Sequence, residues 1–194
     1  MSLNTVEENR RRRQLDAGSE HWVFGYGSLI FKVDFPFLEK RTAMIRDWSR
    51  RFWQGSHDHR GTPENPGRVV TLVEDPNQEC VGIAYKVEAD VFDQLDVREK
   101  NGYLCFTTEM TFDDGAAQSG HIYIATANNE AYLGEASEVE IAQQIATASG
   151  PSGDNADYLL EMARALREMN VVDDHIVEIE RHLLALSRNA RSGE

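Results

Sequence analysis

Hydrophobic and polar residues alternate through the first two-thirds of the chain, whereas in the last third hydrophobic residues recur every three or four positions. The first pattern is typical of strands, and the second is typical of helices buried on one face. Strands are predicted at residues 22–29, 42–47, 50–53, 68–74, 80–87, 105–112 and 120–127. Helices are predicted at residues 90–96, 137–148, 155–169 and 173–188. Because the helices do not alternate with the strands, we predict one α+β domain with an antiparallel or mixed sheet that can curl into a barrel.

Local signals mark several of the element ends. Asp75-Pro76-Asn77 predicts a turn that joins the strands on either side of it into a hairpin. Ser137 and Glu140 have the spacing of a capping box, which predicts the start of a helix. Residues 54–67 are rich in glycine and proline, and a connection of this length is typical of either a functional or a disordered loop.

The end of the first strand carries candidate chemistry. The run Trp22-Val23-Phe24 enters Gly25-Tyr26-Gly27-Ser28, where two glycines predict a sharp turn with unpaired N–H groups. Such amides can bind an anion or donate to a carbonyl oxygen. A glycine turn without chemistry is the alternative that this stretch leaves open.

The net charge of −13 argues against nucleic acid as the main partner, because phosphate binding rests on lysine and arginine. Residues 40–68 are locally basic, which suits either a site for a small anion or a solvated face. Residues 1–20 are predicted to be a flexible, polar N-terminal arm, residues 21–188 a single domain and residues 189–194 a C-terminal tail. The four arginines at positions 10–13 leave open the binding of RNA or lipid by that arm.

Neither a membrane span nor a metal site is predicted. No hydrophobic run approaches the roughly 20 residues that a membrane helix needs. His57, Asp58 and His59 lack a further cluster of ligands, so no metal is expected there. Cys80 and Cys105 have no metal-type spacing and favour a reduced, cytoplasmic protein.

Glu99 is the second candidate for chemistry. It ends the short predicted helix, directly before the turn Asn101-Gly102-Tyr103. A carboxylate held in a cleft at this point would have a pKa raised by burial, which suits general acid–base catalysis. A solvated glutamate between Arg98 and Lys100 is the alternative.

Several motifs, taken in chain order, resemble the ChaC-like family of γ-glutamylcyclotransferases, which act on glutathione. The resemblance covers residues 21–185. The sequence departs from the family pattern at Asn101, where glycine is expected, and at Phe31, where tryptophan is frequent. Asparagine tolerates left-handed backbone angles, so the turn at Asn101 is expected to survive. The motifs lie at residues 23–30, 49–56, 58–63, 66–72, 95–100, 102–103 and 150–153, and at positions 155 and 158.

The resemblance implies a mixed, largely antiparallel β-barrel with flanking helices. It also implies that Glu99 is the catalytic proton acceptor and that no metal or cofactor takes part. Strand alternation turns only one of Arg50 and Arg51 inward, and it leaves open which of them pairs with a substrate carboxylate. The residues assigned to substrate binding, by the resemblance or by their chemistry, are Val23, Phe24, Gly25, Tyr26, Gly27, Ser28, Leu29, Arg50, Tyr103 and Tyr158.

The implied reaction converts glutathione into 5-oxoproline and Cys-Gly, because the α-amine of the γ-glutamyl group attacks its own side-chain amide. Glutathione is therefore the expected partner, without nucleic acid or a membrane, and the oligomeric state is left open. One alternative is the same ring closure on another γ-glutamyl amine or amino acid. The other is a non-catalytic protein that binds glutathione or regulates cation transport.

Overall fold

Seven strands form two sheets in the computed structural model, which describes residues 4–13 and 15–192. The strands are β1 (Glu20–Gly25), β2 (Glu39–Ser56), β3 (Gly67–Glu88), β4 (Tyr103–Phe112), β5 (Ala117–Ala125), β6 (Ser149–Gly150) and β7 (Gly153–Asp154). Five of them close into a barrel in the order β1, β3, β2, β4, β5, whereas β6 and β7 pair with each other.

The barrel is mixed. β1 runs antiparallel to β3, β2 to β4, and β4 to β5. β1 and β5 close the barrel in parallel, with Val23 opposite His121 and Phe24 opposite Ile122. The prediction of a mixed, largely antiparallel barrel is therefore confirmed.

Five α-helices lie within the described residues, and three of them follow the barrel strands in sequence. They are α1 (Val6–Arg12), α2 (Val91–Arg98), α3 (Glu138–Thr147), α4 (Asn155–Glu168) and α5 (Asp174–Ser192). The predicted capping box starts α3: Ser137 Oγ accepts the Glu140 N–H at 3.3 Å, and Glu140 Oε2 accepts the Ser137 N–H at 3.0 Å. Ile145, Leu159 and Ile179 are buried, as the helical spacing predicts, whereas Val139, which was predicted on the inward face of α3, is 42% exposed.

The chain divides into two compact units. The first consists of the chain up to Arg50 together with Thr71–Tyr132, and the second of Arg51–Val70 together with the chain from Leu133 onward. Glu99 and all but one of the predicted substrate-binding residues belong to the first unit, whereas Tyr158 belongs to the second. The single domain over residues 21–188 stays a prediction.

The hairpin predicted around Asp75-Pro76-Asn77 is wrong. β3 continues through these residues and lies between β1 and β2 in the barrel. The turn residues instead produce an irregularity inside two long strands, because Asp47 on β2 (φ 64°) and Asn77 (φ 69°) both have left-handed backbone angles. Asp47 Oδ1 accepts the Asn77 N–H at 2.8 Å. Aspartate and asparagine tolerate this conformation and hydrogen-bond nearby main chain, so the strand bends without ending.

The glycine-rich loop between β2 and β3 packs closely against β6 and β7, because glycines at the contact carry no side chain. A Cβ on Gly150 would lie 2.5 Å from the main-chain oxygen of His59 and 2.6 Å from the nitrogen of Gly61. A Cβ on Gly61 would lie 2.0 Å from the nitrogen of Gly67. Ser152 N donates to His59 O at 2.8 Å. Only residues without a side chain permit this packing.

The stretch expected to be a mobile arm instead carries α1, whose Asn9 is fully buried. Arg13 follows α1 and binds the buried carboxylate of Asp96 through its own buried side chain. Arg10 and Arg12 form ion pairs with acidic residues on α1 and α2. The arm was expected because this stretch is polar and has no hydrophobic face that would indicate a buried helix. Residues 1–3 and 14 of the predicted arm lie outside the described residues, as do 193 and 194 of the predicted tail.

Candidate active site

The candidate substrate loop begins where β1 ends. The side chains of Val23 and Phe24 are buried, and their main chain is paired on both sides within the barrel. A 3₁₀ turn at Ser28–Ile30 follows, and its first hydrogen bond runs from Ile30 N to Gly27 O at 3.0 Å. N–H groups that precede the first bond of a helical turn have no acceptor inside it, which is the arrangement that anion-binding amides require.

Arg50 holds the main chain of this loop. Its side chain is buried, and its Nε donates to Tyr26 O at 2.6 Å while its Nη2 donates to Val81 O at 2.8 Å. Because the N–H of a trans peptide points opposite to its C=O, the Gly27 N–H points away from Arg50. Arg50 is thus the buried member of the pair that alternation left open, and Arg51 is half-buried.

Two tyrosines fix the loop further. Tyr26 Oη donates to Tyr123 O at 2.7 Å, and Tyr85 Oη donates to Leu29 O at 2.6 Å. Burial raises the pKa of Tyr85 to about 12, so the hydroxyl stays a donor at neutral pH. Tyr85 was missed as a site residue: alternation along its strand indicates burial, but it carries no signal for a partner on the β1 loop.

Glu99 follows α2 directly and caps its last turn, with its N–H bonded to Leu95 O at 2.8 Å. The side chain is 18% exposed. Burial raises the pKa of the Glu99 carboxyl above its ordinary value, and the charge and hydrogen bond of Arg98 oppose this shift. A carboxylate in this setting is a stronger base than a solvated one and can take up a proton nearer neutral pH.

Arg98 links the candidate base to the candidate loop. Its Nε donates to Glu99 Oε1 at 3.2 Å, and its Nη2 donates to the Ser28 hydroxyl at 2.8 Å. The same guanidinium binds the carboxylate of Asp34. The side chain of Arg98 therefore connects Glu99 with Ser28, although these two residues are 71 positions apart in the sequence. In the sequence, Arg98 stands out only as a neighbour of Glu99, since nothing in the pattern signals a contact with Ser28.

Other predicted site residues lie in different surroundings. Tyr103 begins β4 and is half-buried. Tyr158, in the second unit, has its hydroxyl 3.5 Å from Val70 N and its ring edge-on to Phe52. The side chains of Val23 and Phe24 are buried in the core, and their main chain pairs with β3 and β5. The substrate-binding role of these residues stays a prediction.

Asn101, in the turn after Glu99, does not adopt the left-handed backbone angle that was expected of it. The left-handed residue is Gly102 (φ 87°), whereas Asn101 has no positive φ and forms an isolated bridge with Asn4. A Cβ on Gly102 would lie 2.7 Å from Asn129 Oδ1. The departure from the family pattern at position 101 therefore brings no backbone strain with it.

Within residues 4–13 and 15–192, no three His, Cys, Asp or Glu side chains are grouped so as to hold a metal ion. None of the helices in this part of the chain has the length and hydrophobicity needed to cross a membrane. The groups that the described site brings together are the Glu99 carboxylate, the Arg98 guanidinium and the Ser28 hydroxyl of the β1 loop.

The sequence model described as "ChaC-like protein" matches residues 21–186, which is most of the chain. The chain belongs to the ChaC-like family. The match includes both the β1 loop and Glu99, and it begins after α1.

Named relatives of this ChaC-like chain are about 40% identical to it over most of its length. It is 42% identical over 181 residues to gamma-glutamylcyclotransferase 2-3 of Arabidopsis thaliana, an alignment that covers 86% of this chain and 91% of the relative. It is also 42% identical over 181 residues to glutathione-specific gamma-glutamylcyclotransferase 1 of Danio rerio, covering 88% and 92%.

Solved structures agree with this assignment. The crystal structure of the selenomethionine-labelled yeast γ-glutamylcyclotransferase specific to glutathione superposes with a TM-score of 0.80 at 30% identity, covering 86% of this ChaC-like chain and 96% of the yeast chain. A structure described as gamma-glutamyl cyclotransferase superposes with a TM-score of 0.55 at 16% identity, covering 84% and 87%, and so shares the fold.

Proposed function

We propose that this ChaC-like protein is a γ-glutamylcyclotransferase that acts on glutathione, with Glu99 as general base and acid. The observation that carries the proposal is the Arg98 guanidinium, which contacts both the Glu99 carboxylate and the Ser28 hydroxyl of the β1 loop. The names of the relatives from Danio rerio and yeast support glutathione as the substrate.

In the proposed reaction, the α-amine nitrogen of the γ-glutamyl group forms a bond to its own side-chain carbonyl carbon. The amide bond from that carbon to the cysteine nitrogen then breaks. Glu99 takes a proton from the amine and returns it to the departing cysteine nitrogen, so the products are 5-oxoproline and Cys-Gly. Nucleophile and leaving group both belong to the substrate, so the protein supplies no nucleophile and no water is consumed.

The protein's contribution is to fold the substrate and to move one proton. The N–H groups of Gly27, Ser28 and Leu29 are the donors proposed for the substrate carboxylate or for the oxyanion that forms during attack. Holding the amine against the carbonyl in a reactive geometry avoids an entropic cost during the reaction. Arg98 opposes the effect of burial on the pKa of Glu99, which favours the ionised carboxylate that accepts the proton.

The test is to incubate the purified protein with reduced glutathione and to identify the products by mass. We expect equal amounts of 5-oxoproline and Cys-Gly, and no ¹⁸O in the 5-oxoproline when the water is labelled. N-acetylglutathione, whose amine is blocked, should remain intact. Release of free glutamate would instead indicate hydrolysis, and binding of glutathione without release of Cys-Gly would indicate a regulatory protein.

Substrate preference needs a second comparison. We expect kcat/KM to be higher for glutathione than for γ-glutamyl dipeptides and γ-glutamyl amines. Equal values across this panel would overturn the preference for glutathione, although the ring-closing reaction would stand.

We also infer that the protein acts in the cytoplasm. Cys80 and Cys105 are both buried and are not joined in a disulfide, and cytosolic proteins keep such thiols reduced. Fractionation of the source cells should place the protein in the cytosolic fraction, and recovery in a secreted fraction would contradict the inference.

A further inference from the structure

The residues that α1 and its ends direct inward are polar. Thr5, Asn9 and Arg13 follow one another at intervals of four residues, so they lie on one side of the helix. Thr5 and Asn9 are buried, and the side chain of Arg13 is 5% exposed. Burying polar groups costs free energy unless they are hydrogen-bonded, so the partners of this face determine what the helix does.

Two of these residues bind the main chain just after Glu99. Thr5 N and Thr5 Oγ1 donate to Lys100 O at 2.9 and 3.0 Å. Asn9 Nδ2 donates to Tyr103 O at 3.0 Å, and Asn9 Oδ1 accepts the Cys105 N–H at 2.8 Å. The amide of Asn9 therefore pairs with the start of β4 in the way that a neighbouring strand would.

The third residue binds the chain just before Glu99. Arg13 pairs with the carboxylate of Asp96, which is fully buried on α2, and donates to the hydroxyl of Tyr123 at 2.8 Å. Tyr123 in turn donates to Asp96 Oδ1 at 2.8 Å. Asp96 precedes Glu99 by three positions, so the ion pair between Arg13 and Asp96 holds the last turn of α2.

We propose that α1 is a positioning element for Glu99, acting through Thr5, Asn9 and Arg13 on the chain segments that flank it. The inference rests on the proposed function, because it assumes that Glu99 moves the proton. The family match starts at residue 21, so α1 lies outside the part of the chain that the family defines.

The bonds of Asn9 and Thr5 end on main-chain oxygen and nitrogen atoms of the turn and of the start of β4, not on the Glu99 carboxylate. Losing them moves the whole turn, and a misplacement of about 1 Å in a reacting group can lower the rate about 100-fold. The substrate is gripped by the β1 loop in the proposed mechanism, so the loss should appear in kcat and leave KM nearly unchanged.

The first test is Asn9→Leu, which keeps the branching and the number of heavy atoms of the side chain and removes both hydrogen bonds. We expect kcat for 5-oxoproline release to fall about tenfold or more, with KM within about twofold of the original value. Amides of residues 99–105 should exchange with deuterium faster than in the unaltered protein. Arg11→Ala, an exposed change on the same helix, is the control and should alter neither quantity.

The second test guards against misfolding of that variant. Thr5→Val removes the hydroxyl bond to Lys100 O, whereas Thr5→Ser keeps it. We expect Thr5→Val to lower kcat and Thr5→Ser to restore it, with both proteins folded by circular dichroism.

Unchanged kcat in a folded Asn9→Leu, unchanged deuterium exchange at residues 99–105, or equal kcat in the two Thr5 variants would each overturn the inference. If the unaltered protein forms no 5-oxoproline from glutathione, the proposed function fails first and this inference fails with it.

Discussion

Replacing Glu99 with glutamine tests the catalytic role and the electrostatics of the site together. The side chain keeps its size and loses only its ability to ionise. Removing a general base typically lowers the rate by about 10²–10⁴-fold, so we expect 5-oxoproline formation by Glu99→Gln to fall by that factor. The hydrogen-bonding partner of the side chain, Arg98, remains in place to bind the glutamine oxygen.

The free energy of unfolding should be higher for Glu99→Gln than for the unaltered protein, and this sign follows from the raised pKa of Glu99. Burial raises the pKa of Glu99 in the folded protein, so the folded state favours the protonated carboxyl. Below the pKa of the unfolded chain, near 4.3, the carboxyl is protonated in both states and costs nothing. As the pH rises through the folded pKa, ionisation of the buried group lowers the free energy of unfolding, by about 1.4 kcal/mol for each unit of difference between the folded and unfolded pKa.

Glutamine stays neutral at every pH, so Glu99→Gln lacks this cost. The free energy of unfolding of the variant, minus that of the unaltered protein, should increase as the pH rises from the unfolded pKa through the folded pKa, and then level off. Urea unfolding at a series of pH values measures the difference. The acid limb of kcat/KM for the unaltered protein reports the folded pKa independently, and the two measurements should agree.

Two results would refute this reasoning. One is a folded pKa, from either measurement, at or below that of an unfolded glutamate, because burial would then not dominate the environment of Glu99. The other is near-normal turnover in Glu99→Gln, which would remove the assignment of the base altogether.

Three further variants probe the surrounding structure. Arg98→Met should raise the pKa of Glu99 further and move the acid limb of kcat/KM to higher pH, because it removes the charge that opposes the effect of burial. Arg13→Met should lower the free energy of unfolding by about 3–5 kcal/mol in urea titrations, because the Asp96 carboxylate is left buried without its partner. Gly150→Ala should lower it by about 1–3 kcal/mol, because the added Cβ meets a main-chain oxygen of the facing loop at 2.5 Å.

Each variant has a matched control. Arg98→Lys keeps the charge and should move the acid limb less than Arg98→Met does. Arg10→Met breaks exposed ion pairs and should cost at most about 1 kcal/mol, so an equal loss in Arg10→Met and Arg13→Met would contradict the special role of the buried pair. Ser149→Ala, an exposed change next to Gly150, should stay within about 0.5 kcal/mol of the unaltered protein.

The parts of the fold that follow from local patterns were predictable. The capping box at Ser137 and Glu140 and the hydrophobic faces of α3, α4 and α5 are written into short stretches of sequence. The strands of the barrel were also indicated by their hydrophobic runs. Their continuity was not, because Asp75-Pro76-Asn77 has the composition of a turn, and the contact of Asn77 with Asp47 on the distant strand β2 is not encoded locally.

The candidate site divides in the same way. Glu99 and the β1 loop were indicated by their residue types and by the family resemblance. The contact of Arg98 with Ser28 depends on how distant segments pack, and no local pattern encodes it. α1 was missed for a different reason: Thr5, Asn9 and Arg13 bury polar side chains, whereas periodicity detects buried helices only through hydrophobic ones.

The position of α1 has a practical consequence for anyone who purifies this protein. Thr5 hydrogen-bonds Lys100, the residue that follows Glu99. An affinity tag fused ahead of the helix would therefore be attached only a few residues before the one that contacts the proposed catalytic turn. A bulky or charged leader at that end could depress activity in a preparation that is otherwise well folded. Fusions at the opposite terminus, or removal of the leader by a protease before assay, avoid mistaking such an artefact for an inactive enzyme.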